Sequence, residues 1–290
     1  MENQTFQQDR SQNVEGDLVF AMQLLMKEKC KMPDRETAIA IMKKHLGDDL
    51  DFSDDKGNSI IFSVNPYKMT YETGTIAPIL MITDCCETDH ETIDAFIRSQ
   101  MWDCPEHEQI LSQCHYQVVA VDMLAGMLDY RDRAEMLMNY MEALVELYPT
   151  CEAVYMKNSG KLFAADKIRN HTIPKEDRFV YFAVNVRFFN IQDTDDMIVD
   201  TLGMHLLSLP DLQYHFHGVD PNAVVNHAYN VLSYLFANGN PIQDHDTIDG
   251  IMGEQEQWRC HYEEALIQPV REVIDIDMNA FASGNREDRE

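Results

Sequence analysis

The stretch that decides the fold spans residues 202–278 and reads LGMHLLSLPDLQYHFHGVDPNAVVNHAYNVLSYLFANGNPIQDHDTIDGIMGEQEQWRCHYEEALIQPVREVIDIDM. Asp220-Pro221 predicts the start of a helix, because an Asp N-cap accepts backbone N–H groups and Pro fits the first helical position. Apolar residues then recur at helical spacing as far as Phe236, and Asn238-Gly239 predicts the helix end. The stretch therefore predicts a capped amphipathic helix flanked by strands.

The chain upstream alternates apolar runs of strand length with helical patterns. A hairpin or strand pair with a turn at residues 54–58 is predicted in residues 50–64. Further strands are predicted in residues 18–26, 67–73, 77–82, 115–124, 151–156, 161–164, 179–189 and 197–202, and helices in residues 34–46, 88–101 and 131–148. This order predicts an α+β fold with mixed, mostly antiparallel sheets and helices packed on one face. Two split-βαβ, ferredoxin-like halves are an alternative, although no internal sequence repeat demonstrates a duplication.

The domain organisation follows from the absence of a linker rich in Gly, Pro or Ser. Residues 1–17 are polar and predict a flexible N-terminal arm. Residues 18–278 predict a single compact α+β domain, which could divide near residues 165–195. Residues 279–290 predict a flexible polar tail.

Composition and charge limit the compartment and the partners. No run approaches the roughly 18 apolar residues of a membrane span, and the N-terminus lacks the basic and apolar regions of a signal peptide, so we expect a soluble cytoplasmic protein. The formal net charge of −27 argues against nucleic-acid or membrane partners. No lysine follows Lys175. This imbalance indicates either solubility alone or an acidic face for a basic protein or a metal.

Histidines and acids in the opening stretch could form a metal site. His215 and His217 lie two residues apart, so on a strand they would face the same side. Asp244 and Asp246 lie in a loop, residues 238–250, that is dense in turn residues and also contains His245 and Asp249. We expect no other cofactor. The competing interpretation is that these side chains are ordinary polar surface residues, since no established ligand spacing supports a metal.

Catalytic signals are weak. The chain lacks GxSxG, GxxxxGK[ST], GxGxxG after a strand and HExxH, so we expect no catalytic residue. The seven cysteines are scattered without a CxxC pair, which argues against a disulfide framework or zinc knuckle and favours buried thiols. Cys85-Cys86 is a candidate redox pair, with simple packing as the alternative. Cys260 and His261 would face opposite sides of a strand, so only one of them could join a site.

Three segments carry a family resemblance: LPDLQYHFHGVDPNAV, HAYNVLSYLFANGNPIQDHDTI and QWRCHYEEALIQPVREVIDI. In this order they resemble a bacterial family of unknown function, the domain family numbered 4261. Upstream, QVVAVDM and EAVYMKNSGKLF look like central strands of the same family, which extends the resemblance over most of the chain beyond about residue 18. The family has no established activity, so the resemblance implies no catalytic residue.

Two specific classes of function remain, beside a structural or oligomeric role that the sequence does not define. The first is a non-enzymatic protein-interaction factor, immunity-like or accessory, that binds a basic protein through an acidic C-terminal face. The alternative is a metal- or small-ligand-binding protein or an enzyme, with its site between the 244–249 loop and the strand of His215 and His217. The sequence leaves the oligomeric state open.

Overall fold

The computed structural model describes residues 4–9, 11, 19–54, 58–71, 74–90 and 93–284. The chain divides into two compact units, Leu18–Ala183 and a second unit that combines Met1–Asp17 with Val184–Glu290. Much of the predicted arm (residues 1–3, 10 and 12–17) and half of the predicted tail (residues 285–290) lie outside the described residues. The single-domain organisation stays a prediction. No described helix combines the length and apolar character needed to cross a membrane.

The first unit contains an antiparallel eight-stranded sheet. Its strands are β1 (Ala21–Met26), β2 (Leu50–Asp54), β3 (Ser59–Val64), β6 (Ile79–Thr83), β7 (Cys86–Glu87), β8 (Tyr116–Met123), β9 (Ala153–Met156) and β10 (Lys161–Ala164). The strand order is β10-β9-β1-β8-β6-β3-β2, with β7 also paired to β8. Two short strands, β4 (Met69–Tyr71) and β5 (Gly74–Ile76), form a separate ribbon.

Six α-helices lie in the described part of this unit. They are α1 (Arg35–Leu46), α2 (Ala95–Arg98), α3 (His107–Gln113), α4 (Tyr130–Leu147), α5 (Ala165–Arg169) and α6 (Arg178–Ala183). Helix α1 begins where Asp34 accepts the Thr37 N–H at 2.9 Å, and it packs along α4. Leu137, Met141 and Leu144 of α4 are buried, as its apolar repeat predicts.

The second unit contains a six-stranded mixed sheet and one long helix. Its strands are β11 (Asn185–Asn190), β12 (Met197–Leu202), β13 (Asp211–Phe216), β14 (Thr247–Gly250), β15 (Gly253–Glu264) and β16 (Glu272–Asp277). The order is β11-β12-β13-β16-β15-β14; only β13 and β16 are parallel among these described pairs. The helix, α7 (Pro221–Asn238), follows β13.

The predicted fold class, α+β with mostly antiparallel sheets, is confirmed. The ends of α7 are also those that its sequence predicts: the Asp220 side chain accepts the Asn222 N–H at 3.0 Å, and Gly239 has the left-handed φ of 71°. β16 lies directly beside β13. The strand that follows α7 in the chain is β14, and β16 and β15 separate it from β13 in the sheet.

Two predicted elements are wrong in type or length. Within residues 88–101 the helix is the four-residue α2, because Asp94 forms its N-cap by accepting the Ile97 N–H at 2.8 Å; residues 91–92 lie outside the described residues. The β-rich run 179–189 begins as helix α6 before it becomes β11. Arg178 pairs with Glu142 of α4, so tertiary packing overrides the local β propensity.

Candidate functional site

The six-stranded sheet has one apolar face, and α7 packs against it. His227 of α7 contacts Tyr214 of β13, with 2.9 Å between Nδ1 and the hydroxyl, and its ring lies 4.8 Å from that of Trp258 on β15. Side chains alternate along strands, so Leu212, Cys260 and the two isoleucines of β16 share this face, and all are buried. Cys260 therefore belongs to the core, and burial raises the pKa of its thiol to about 12.

The opposite face carries a row of polar residues, which we call the polar row. Arg187, Asp200, Gln213, Asp275 and His261 lie directly opposite one another on β11, β12, β13, β16 and β15. The first four are buried. The Arg187 Nε donates to Asp200 Oδ1 at 2.8 Å, and the Gln213 Nε2 donates to Asp275 Oδ1 at 3.3 Å. His261 is the partly exposed end of the row.

A second arginine joins the buried acids of this face. Arg271 donates from Nη2 to Asp200 Oδ2 at 2.8 Å and from Nε to Asp211 Oδ2 at 3.3 Å. Asp211 also accepts the Met204 N–H at 3.1 Å and contacts His205 Nδ1 at 3.1 Å. Burial pushes the pKa of Asp211 upward, but the His205 hydrogen bond and the Arg271 charge outweigh burial and bring that pKa down to about 2.

The segment 265–271 lies over the polar row. The Leu266 N–H donates to Gln213 Oε1 at 2.7 Å, and the carbonyl oxygen of Gln268 accepts from Arg187 Nη1 at 3.0 Å. Arg271 Nη1 donates to the Pro269 carbonyl oxygen at 2.8 Å. These buried charges are thus hydrogen-bonded within the unit, which is the pattern of a structural network rather than of a ligand site.

His215 and His217 lie in a separate polar cluster. His217 Nδ1 lies 2.8 Å from the Ser283 hydroxyl, which donates to Asp196 Oδ1 at 2.8 Å. His215 Nε2 lies 3.6 Å from Asp196 Oδ2. This carboxylate, which precedes β12, is therefore the acid that the structure places beside the two histidines.

Asp244 and Asp246 lie in the loop before β14 and have different contacts. Asp244 Oδ1 lies 2.8 Å from His261 Nδ1 and accepts the Tyr262 N–H at 2.9 Å. Its Oδ2 lies 3.3 Å from His245 Nε2. The Tyr262 N–H bond is the largest influence that lowers the pKa of Asp244. Asp246 instead accepts the Gln243 N–H at 2.7 Å, so its carboxylate shapes the loop.

The four residues named as metal candidates thus do not form one cluster. Among the described residues, the group that could share an ion is Asp244, His245 and His261, whose ligand atoms lie within 4.8 Å of one another. His215 and His217 are not part of it. His261 belongs to this group because side chains alternate along β15, so its ring lies on the face opposite the buried Cys260. The pairing of β14 with β15 then determines that Asp244 is the acid that His261 contacts.

The surface around this group is acidic. We call residues 243–264, which comprise the end of the loop, β14 and β15, the acidic hairpin. Its exposed acids are Asp244, Asp246, Asp249, Glu254 and Glu264. Elsewhere in the second unit Asp193, Asp195, Asp220 and Glu272 are exposed as well. Of the described arginines in this unit, Arg187 and Arg271 are buried and Arg259 is exposed.

Two features of the first unit have structural explanations. Cys85 is buried and its sulfur accepts the Cys30 N–H at 3.3 Å, while Cys86 is exposed, so the vicinal pair divides between core and surface. Lys161 is buried and paired with Asp103 at 3.0 Å. Desolvation lowers the pKa of Lys161, and the sequence held no signal for this burial.

Residues 200–277 match the family model of a domain of unknown function, DUF4261. The match confirms the resemblance for this segment, which begins in β12 and ends with β16, and it contains α7 and the acidic hairpin. The upstream segments for which the sequence indicated the same resemblance lie outside the match. Neither the curated proteins nor the solved structures yield a match.

Proposed function

We propose that this protein is a non-enzymatic interaction factor, immunity-like or accessory, whose acidic hairpin binds a basic protein. One observation carries the proposal: Arg187 and Arg271 point into the unit and neutralise buried acids, so they do not offset the charge of the exposed acids. Arg259 is the exposed arginine among the described residues of the unit. The exposed charge of the described residues in this unit is therefore almost entirely negative.

The hairpin suits such a partner physically. Clustered charge of one sign raises the association rate of an oppositely charged protein, and that effect falls steeply with ionic strength. β14 is the edge strand of the sheet, and its Asp249 is exposed. Charged edge strands also resist self-association, which favours binding of a different, basic chain over a second copy.

The test begins with capture of partners from a lysate of the cells that encode this chain, followed by binding measurements with the purified captured protein. We expect a partner with a basic isoelectric point and a dissociation constant that rises at least tenfold between 50 and 300 mM NaCl. A triple variant, Asp249→Asn, Glu254→Gln and Glu264→Gln, should weaken binding at least tenfold because it removes three exposed negative charges from the acidic hairpin.

The matched control removes the same number of negative charges from the first unit. It replaces three exposed acids there: Glu28→Gln, Glu36→Gln and Asp48→Asn. This variant should change the dissociation constant less than twofold. Equal weakening by both variants would show that net charge alone is responsible. Capture of a neutral or acidic partner, or binding that is indifferent to salt, would contradict the proposal.

A further inference from the structure

We propose that Asp244, His245 and His261 form a binding site for a transition-metal dication of the zinc type on the acidic hairpin. The group differs from the four residues that the sequence indicates, since it retains only Asp244 from that set. Two imidazoles and one carboxylate are a common ligand set for such ions in proteins. The site lies on the surface proposed above to bind a basic protein, but this inference does not depend on that partner.

The separations in the group fit one ion. Zinc binds imidazole nitrogen and carboxylate oxygen at about 2.0–2.2 Å, so tetrahedral ligand atoms lie roughly 3.3–3.5 Å apart. Asp244 lies 2.8 Å from His261 and 3.3 Å from His245, measured between the nearest nitrogen and oxygen atoms. The two imidazole rings are nearly parallel, at 21°, with centroids 5.7 Å apart. The two distances use different oxygens of Asp244, and one donor atom from each residue lies within 4.8 Å of the others, so side-chain rotations are needed to bring the three atoms around one centre.

The loop is held in this shape before any ion binds. The His245 N–H donates to the Cys260 carbonyl oxygen at 2.8 Å, and the Cys260 N–H donates to the Asp246 carbonyl oxygen at 2.8 Å. The Tyr262 hydroxyl donates to the Ile242 carbonyl oxygen at 2.9 Å. These bonds fix the loop to β15, so the ligands need little ordering when the ion binds, which favours affinity.

The ligand chemistry selects the class of ion. Calcium and magnesium prefer shells of six or more oxygen atoms, whereas imidazole nitrogen favours Zn²⁺, Ni²⁺, Co²⁺ and Cu²⁺. Asp244 and His245 are exposed and His261 is partly exposed, so water can supply the remaining ligands. Exposed Asp246 and Asp249 on the same hairpin add negative potential that attracts a cation.

Binding has a defined proton balance. A carboxylate oxygen only accepts hydrogen bonds, so the 2.8 Å contact between Asp244 Oδ1 and His261 Nδ1 requires a proton on that nitrogen. The ion takes the place of this proton, which moves to the other ring nitrogen or to solvent. Binding of the ion is therefore coupled to the transfer or release of this proton.

The test titrates ZnCl₂ into purified, metal-free protein by isothermal titration calorimetry, with Co²⁺ visible absorption as a second readout of coordination. All proteins carry Cys86→Ser, because Cys86 is an exposed thiol that would bind zinc on its own. We expect one site per chain. His261→Ala and His245→Asn should each weaken zinc at least tenfold; Asn is chosen because it tolerates the φ of 70° at position 245.

The matched control is His217→Ala, which removes an exposed histidine of the same unit outside the group and should change zinc affinity less than twofold. Thermal unfolding monitored by circular dichroism verifies that the metal-free variants are folded. If His261→Ala fails to fold, the zinc affinity of the surface variant His245→Asn tests the proposal. Absence of a stoichiometric site, or equal affinity of wild type and His245→Asn, would overturn the proposal. These variants leave Asp249, Glu254 and Glu264 intact, so the two proposals fail separately.

Discussion

At the scale of single residues, the second unit depends on buried charges that neutralise one another. Asp200 accepts from both Arg187 and Arg271, and its side chain is inaccessible to solvent. A buried ion pair adds little net stability when whole, because desolvation offsets the Coulomb attraction. Loss of one partner is a different case, since it leaves an uncompensated charge in a region of low dielectric constant.

Arg271→Leu should therefore lower the free energy of unfolding by about 3–5 kcal/mol. After this substitution Asp200 keeps its ion pair with Arg187, whereas Asp211 loses its ion pair with Arg271. Urea unfolding monitored by circular dichroism measures the effect. The control is Arg259→Leu, an exposed arginine whose replacement should cost less than about 0.5 kcal/mol. Similar losses in the two variants would show that the buried network contributes no special stability.

Asp211 predicts a specific acid sensitivity. Its folded pKa is about 2 against an ordinary value of 3.8, so the unfolded chain takes up this proton first as the pH falls. The resulting stability, roughly 2 kcal/mol, is present above pH 4 and is lost between pH 4 and pH 2, with about 1 kcal/mol lost by pH 3. Unfolding free energies at pH 5 and pH 3 should differ less for Asp211→Asn than for wild type. An identical difference would contradict this assignment.

At the scale of elements, His227 links α7 to the acidic hairpin. A backbone carbonyl only accepts, so His227 Nε2 carries the proton that it donates to the Asp249 oxygen at 2.7 Å. Nδ1 is then free to accept from the Tyr214 hydroxyl at 2.9 Å. The neutral ring satisfies both partners, and burial lowers the pKa of His227, which favours this neutral form. The helix thereby holds the edge strand β14 in place.

His227→Phe should lower the local stability of β14. Phenylalanine keeps the ring contact with Trp258 but leaves the Tyr214 hydroxyl and the Asp249 carbonyl without this partner, at about 1–3 kcal/mol for each buried group. Hydrogen–deuterium exchange of residues 247–250 should accelerate at least tenfold. The control His217→Phe alters an exposed histidine outside this contact and should leave that exchange unchanged. Unchanged exchange in His227→Phe would mean that β14 is held by β15 alone.

The elements that the sequence predicts well are those with local signals. Asp220-Pro221 and Asn238-Gly239 delimit α7 because caps act on their own backbone neighbours. The α6–β11 boundary within residues 179–189 depends on Arg178 meeting Glu142, a contact between distant parts of the chain. The Asp244–His261 contact likewise requires the β14–β15 register, which no local pattern contains. Site residues on neighbouring strands were therefore less predictable than helix ends.

At the scale of the whole molecule, the formal net charge of −27 should govern stability as well as partner choice. Exposed acids occur on both units, and in the second unit the described arginines other than Arg259 lie inside. Repulsion between exposed like charges opposes the compact state and is screened over about 10 Å at 0.1 M salt. The buried pairs of Asp200 are shielded from salt and should respond little. Salt should thus act mainly on surface repulsion.

We therefore expect charge screening to raise the melting temperature at pH 7 by several degrees between 20 and 300 mM NaCl. A gain of 1 kcal/mol in the free energy of unfolding corresponds to roughly 2–4 °C for domains of 150–250 residues. Differential scanning fluorimetry measures it. Asp249→Asn with Glu254→Gln and Glu264→Gln should raise the melting temperature at 20 mM NaCl and reduce the gain from salt, because less repulsion remains to be screened. A melting temperature that falls with salt would show instead that exposed ion pairs, such as Lys44 with Glu146, outweigh the repulsion.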